Sequence, residues 1–238
     1  AHDDRRERSF VSTCVEKMEQ CPEAALCQAH TAMYVEGRKE ILCIANLNSF
    51  EGAKGLVGRY RETLKHFPAT AIYGLYRSSV VRKTRMFQRV IATDLAFIQE
   101  LSINGNFVQV PKVLFNYISR EKWNTVHQDY KVFLGKDKKP WWYLPFIALF
   151  YNHWSRVANA AVPFGVKLRL WSVLLEHEVG QIALKVFIKA SGRVCPEAWK
   201  ERLACLIYRR WMLGPNLQVG CDELLLERVI KPKLGWWN

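Results

Sequence analysis

The chain has 238 residues, half of them hydrophobic and 13% aromatic, with a formal net charge of +13. Such a length and composition exclude a disordered polymer and allow one large domain, or a domain with an extension. The charge is uneven, +4 over residues 1–118 and +9 over 119–238, and favours anionic partners: nucleic acid, nucleotide phosphates or an acidic lipid surface.

In chain order, Phe10, Val11, Cys14, Val15 and Met18 recur at helical spacing and predict an amphipathic helix from Glu7 to Gln20, closed by Pro22. AALCQAHTAMYV (24–35) predicts a strand, Gly37 a turn, and EILCIANL (40–47) a second strand. A helix is expected over 51–66, fraying at Gly55 and Gly58, and ATAIYGLYRSSVVRKT (69–84) reads as a strand or loop followed by a short helix. Leu95, Ile98 and Leu101 form a helical stripe, with Thr93 as its expected N-cap and Gly105 as a left-handed C-cap. NFVQVPKVLFNYI (106–118) alternates as a strand in which Pro111 argues for an edge or a bulge.

Residues 128–139 are polar and lysine-rich, a linker by composition, and mostly helices are expected beyond them, with breaks near Pro163, Ser191, Gly214 and Pro232. The apolar run WWYLPFIALFY (141–151) is too short to span a bilayer and contains Pro145, so it reads as a buried or interfacial segment. Lysines beside tryptophans and tyrosines suit the headgroup boundary of an anionic membrane; a helical subdomain with core tryptophans and a solvated lysine face fits the same residues. The seven cysteines are odd in number and include no C-x-x-C pair, which argues against a zinc site or disulfide framework and for a reducing cytosol.

Three stretches together, AHDD with its helix FVSTCVEKMEQCPEAALC, then AIYGLYRSSVVRKT, then TDLAFIQELSINGNFVQVPKVLFNYISR, resemble the inverting, GT-A-type family 2 glycosyltransferases of bacteria. Acidic pairs and G-x-F strands are common singly, and the resemblance lies in their order and spacing over about residues 1–120. The family's nucleotide-binding βαβ half has no counterpart here, so the resemblance implies a C-terminal fragment. The implied class is α/β: a partial GT-A-like mixed sheet with flanking helices over 1–127, the linker 128–139, and a mainly helical, basic and aromatic extension over 140–238.

The resemblance implies transfer of a sugar from a nucleotide diphosphate to a glycan or lipid-linked acceptor, on the cytoplasmic side of the membrane. Asp4 would hold Mg²⁺ or Mn²⁺, hard cations that take carboxylate oxygens, while Asp3 would face the ribose or a metal-bound water. Asp94 would be the catalytic base, Arg77 would bind phosphate or acceptor, and Tyr73, with Tyr76, would stack on a sugar ring. From the residues alone other readings stand. Asp3 and Asp4 are equally a surface pair neutralised by Arg5, Arg6 and Arg8. Asp94 suits a first helical turn, where an acid meets the positive end of the dipole. Arg77 can pair structurally with a carboxylate such as Asp94, Glu100 points elsewhere and is structural, and His2 is a solvent-exposed histidine. A non-catalytic module binding an anionic membrane surface is the main alternative; nucleic-acid binding is permitted by charge, but the basic residues are scattered.

Overall fold

The computed structural model describes residues 4–37, 40–45, 55–65, 69–90, 92–119, 135, 144–191 and 218–219. Strand β1 (Arg5–Arg6) precedes helix α1 (Phe10–Glu19), which leads into β2 (Ala24–Val35) and β3 (Ile41–Ala45). Helix α2 (Gly55–Lys65), a 3-10 turn (Ala69–Tyr73), β4 (Leu75–Tyr76) and α3 (Ser78–Val81) follow, then α4 (Thr93–Asn104) and β5 (Asn106–Ser119). Helices α5 (Pro145–Asn159) and α6 (Phe164–Ser191) and the short β6 (Gln218–Val219) complete the described elements.

The architecture is α/β, with a mixed open sheet in the order β1-β5-β2-β3-β6 and β4 paired to β2 off that path. The long central pairing, β2 with β5, is parallel, and β1, β3, β4 and β6 join antiparallel. Along β5 the register steps from Ala29↔Val110 to His30↔Val113, leaving Pro111 and Lys112 out of the ladder. A residue without an N–H is accommodated there at no cost to the ladder, and the expected bulge is present.

Successive strand residues point to opposite faces, and here Leu26 and Cys27 enter different cores. Cys27, Ala29, Val110 and Phe115 pack under Phe10, Cys14 and Met18 of α1. Leu26 and Phe107 pack under Phe97, Ile98 and Leu101 of α4. A third cluster joins Tyr60 and Leu64 of α2, Ile103 of α4, Val157 of α5 and Leu170, Val173 and Leu174 of α6. The C-terminal helices thus share a core with the α/β layer rather than standing apart from it. Trp154 and Trp171 stack within that cluster at 4.8 Å between ring centroids.

Three local expectations are corrected. Helix α1 begins at Phe10 rather than Glu7, because the Glu7 N–H donates to Leu114 O at 2.9 Å and keeps that residue in the sheet. Thr93 is not the N-cap of α4: Ala92 occupies that position with φ +56°, and Thr93 Oγ1 is buried without a partner among the described residues. Gly105 is extended at φ −176°, not left-handed. Its glycine is required by proximity instead, since an added Cβ would lie 2.6 Å from Ala25 Cβ and 3.2 Å from Glu23 O. Gly105→Ala should therefore lower stability by about 1–3 kcal/mol, read as a fall in the urea midpoint at constant slope; an unchanged midpoint would contradict the close packing of α4's end on β2.

His2, Asp3, the linker 128–139 except Gly135, and most of the chain beyond Ser191 lie outside the described residues. Among those described, no helix is long and apolar enough to cross a membrane.

Candidate active site

Asp4 is placed by the sheet. One residue before β1, its Oδ1 accepts a hydrogen bond from the Ile118 N–H of β5 at 3.1 Å, and β1 continues with Arg5↔Asn116 and Arg6↔Phe115. Its second oxygen, Oδ2, is buried and has no hydrogen-bond partner among the described residues.

Tyr73 ends the 3-10 turn. Its ring lies 5.1 Å from that of Phe115 and 5.9 Å from that of Tyr117, which sets it against the same end of β5 that holds Asp4. Burial raises the pKa of its hydroxyl, and the negative charges of Asp4 and Asp94 raise it further, while Arg6 opposes them. The two carboxylates that are 90 positions apart in sequence thus act on one phenol. Tyr76 repeats half of the pattern: its hydroxyl donates to Ala71 O at 2.9 Å, and burial followed by Asp94 pushes its pKa upward.

Asp94 stands in the first turn of α4. Its Oδ1 accepts from the Leu95 N–H at 2.9 Å, yet burial outweighs that bond and raises the carboxyl above its ordinary 3.8. A helix-terminal acid in water would show the opposite balance. Arg6 completes the group: its guanidinium donates to Tyr73 O at 3.2 Å and lies over the rings of Phe10 and Phe115, at 5.3 and 5.7 Å. From sequence Arg6 reads only as a surface counter-charge to the acids. The cue lay in its position one step after a strand-end carboxylate, where only pairing with β5 reveals its direction.

Arg77 is placed elsewhere. Its Nε donates to Ala24 O at 2.8 Å, and its Nη2 to Met18 O at 2.9 Å and Cys21 O at 3.4 Å. These contacts close the C-terminal end of α1, where carbonyls lack helical partners, so the guanidinium meets backbone rather than Asp94. Glu100 faces away from the group and pairs with buried Arg156. Cys14, Cys21 and Cys27 are free thiols.

No group of three or more His, Cys, Asp or Glu that could hold a metal ion forms among the described residues. Asp4 is nonetheless the type of donor a hard divalent cation takes, and its orphaned buried Oδ2 is the atom a cation would satisfy. No family model and no curated protein matches the chain.

Proposed function

We propose that the chain is the metal- and acceptor-side part of an inverting, GT-A-type glycosyltransferase of the family 2 kind, acting on a nucleotide-diphosphate sugar at the cytoplasmic side of the membrane. The observation that supports it is that Asp4, anchored to Ile118 of β5, and Tyr73, packed on Phe115 and Tyr117 of the same strand, share one end of the sheet. There the charges of Asp4 and Asp94 both act on the Tyr73 hydroxyl. An attacking hydroxyl needs a base on the face of the sugar opposite the leaving group. Asp94, shielded from water and raised in pKa, is a better proton acceptor once ionised than a solvated carboxylate would be. Asp4 would hold Mg²⁺ or Mn²⁺, which would supply charge neutralisation to a departing pyrophosphate when bound, while Asp3 would face the ribose or a metal-bound water. Tyr73, its hydroxyl raised in pKa by burial and by both acids, keeps its proton. Arg6 sets a positive charge on the same side. Arg77, engaged with backbone carbonyls, has no step in this scheme.

Asp4→Ala should abolish the stimulation of sugar transfer by Mn²⁺ and lower the rate roughly 10²-fold or more, as loss of an electrostatic group at the reacting centre does. Undiminished, cation-stimulated transfer in that variant would remove Asp4 from the site. A peripheral membrane role has its own supporting observation. Phe164, Leu168, Leu175, Val179 and Ile182 are all exposed, and their spacing sets them along one side of α6. Sedimentation with phosphatidylserine vesicles tests it, and a chain that stays in the supernatant at low salt lacks that role.

A further inference from the structure

Between α3 and α4 the chain makes a loop with two non-glycine residues in the left-handed region, Met86 and Ala92, each at φ +56°. Such residues hold that conformation only when their surroundings impose it. Helix α5 provides the surroundings. Arg156, 2% exposed, donates from Nη2 to Met86 O at 3.0 Å and from Nε to Asn152 Oδ1 at 2.7 Å, and its Nη1 meets Glu100 Oε2. Glu100 Oε2 also accepts from the Arg85 N–H at 2.9 Å. Two more bonds join the loop and α5: Arg85 Nη1 donates to Ser155 Oγ at 2.8 Å, and Asn152 Nδ2 donates to Gln88 Oε1 at 2.8 Å.

The product of this network is the placing of Phe87. Its ring lies 4.9 Å from that of Phe97 while it remains 54% exposed. Phe97 is three residues after Asp94, hence on the same side of α4 and a neighbour of the carboxylate. An exposed aromatic ring, with half-exposed Met86 beside it, therefore stands one ring away from the turn of α4 that carries the candidate base.

We propose that Arg156 is a positioning residue that fixes the loop 82–90 from the C-terminal helices, so that Phe87 forms an apolar wall beside Asp94 to which the acceptor presents an apolar group. The identity of that ligand as an acceptor rests on the transferase reading above; the holding of the loop by Arg156 does not.

Two measurements on the full chain test this. Removing Arg156 alone would strand Glu100 as a buried unpaired charge, so the variant is Arg156→Met combined with Glu100→Gln. Arg82, Lys83 and Arg89 are exposed trypsin sites in the loop. With far-UV circular dichroism unchanged, cleavage there should accelerate on the order of ten-fold, because local opening is no longer opposed by the network. Cleavage at the parental rate would overturn the positioning role, and global loss of the circular dichroism signal would show that the network serves the whole fold instead. Phe87→Ser, an exposed substitution, isolates the wall. The parent should bind octyl glucoside, below its micelle concentration, on the order of ten-fold more tightly than glucose, and Phe87→Ser should erase that preference. Equal binding of the two sugars by the parent, or a preference untouched in Phe87→Ser, would overturn the wall. If the octyl preference holds while the chain binds no Mn²⁺ that Asp4→Ala removes, the transferase reading fails and the wall stands.

Discussion

Asp94→Asn is expected to lower sugar transfer by roughly 10²–10⁴-fold, the range for loss of a general base, while leaving the protein at least as stable as the parent. The two outcomes have one cause. Burial raises the folded pKa of Asp94 above its ordinary 3.8, so between those values the native chain binds a proton that the unfolded chain has released. Stability from this group is therefore present below 3.8 and is lost as pH rises through its folded pKa. An amide of the same shape carries no charge to desolvate, so the variant should gain on the parent at pH 7 and lose that gain near pH 3. Urea midpoints at the two pH values, beside initial transfer rates, check both halves. A structural acid at a helix start would behave in the reverse way, since its replacement costs helix stability. Loss of stability at pH 7 with full activity would return Asp94 to that simpler role.

The second large effect is acid sensitivity, centred on His153. Burial, then the positive charges of Arg156 and His177, lowers its pKa from 6.5 to about 3, and both ring nitrogens lack hydrogen-bond partners among the described residues. His177 is lowered to about 4, by burial and then by Lys65, with Glu176 opposing. Both rings are neutral in the folded protein, whereas in the unfolded chain they take protons as pH falls below 6.5. The unfolded state then binds more protons, and stability present above 6.5 is lost progressively toward the folded values. At pH 4.5, two units below the unfolded value, His153 alone accounts for roughly 3 kcal/mol of lost stability. His153→Leu, which fills the space without a titrating group, should match the parent at pH 7.5 and exceed its urea midpoint clearly at pH 4.5. Parallel pH profiles for the two proteins would show that His153 does not carry the effect.

Both predictions depend on burial, and burial is where sequence reasoning stops. The strand 24–35 was legible because a run of small, β-branched and apolar residues between Pro22 and Gly37 has few alternatives. The bulge at Pro111 was legible for a reason intrinsic to proline, its missing donor. Gly105 is not legible in sequence because a glycine after a helix has two uses, a left-handed turn and a close approach, and only the position of Ala25 decides between them. Thr93 does not cap the helix because the backbone turns one residue earlier, at Ala92, in a conformation that alanine does not favour by itself.

The candidate site divides in the same way. Asp4 and Asp94 could be singled out from local pattern, yet nothing local states that β5 sets Asp4 beside Tyr73 or that the charges of both acids reach its hydroxyl. Arg77 had two open uses in sequence, oxyanion binding or structural pairing, and its contacts go instead to the carbonyls at the end of α1. Arg156 carried no signal, being one basic residue among thirty-five, until its burial against Glu100 and Met86 set it apart.

By itself the sequence determined the α/β class, the main helices and strands from β2 to α6, and the carboxylates worth testing. Helical and strand periodicity, proline and glycine act over a few residues, and so they can be read from a few residues. The tertiary structure alone decided which charges are shielded, which are paired, and which two acids share a neighbour. Those properties come from the parallel pairing of β2 with β5 and from the packing of α5 against α4, contacts between segments that no local pattern links.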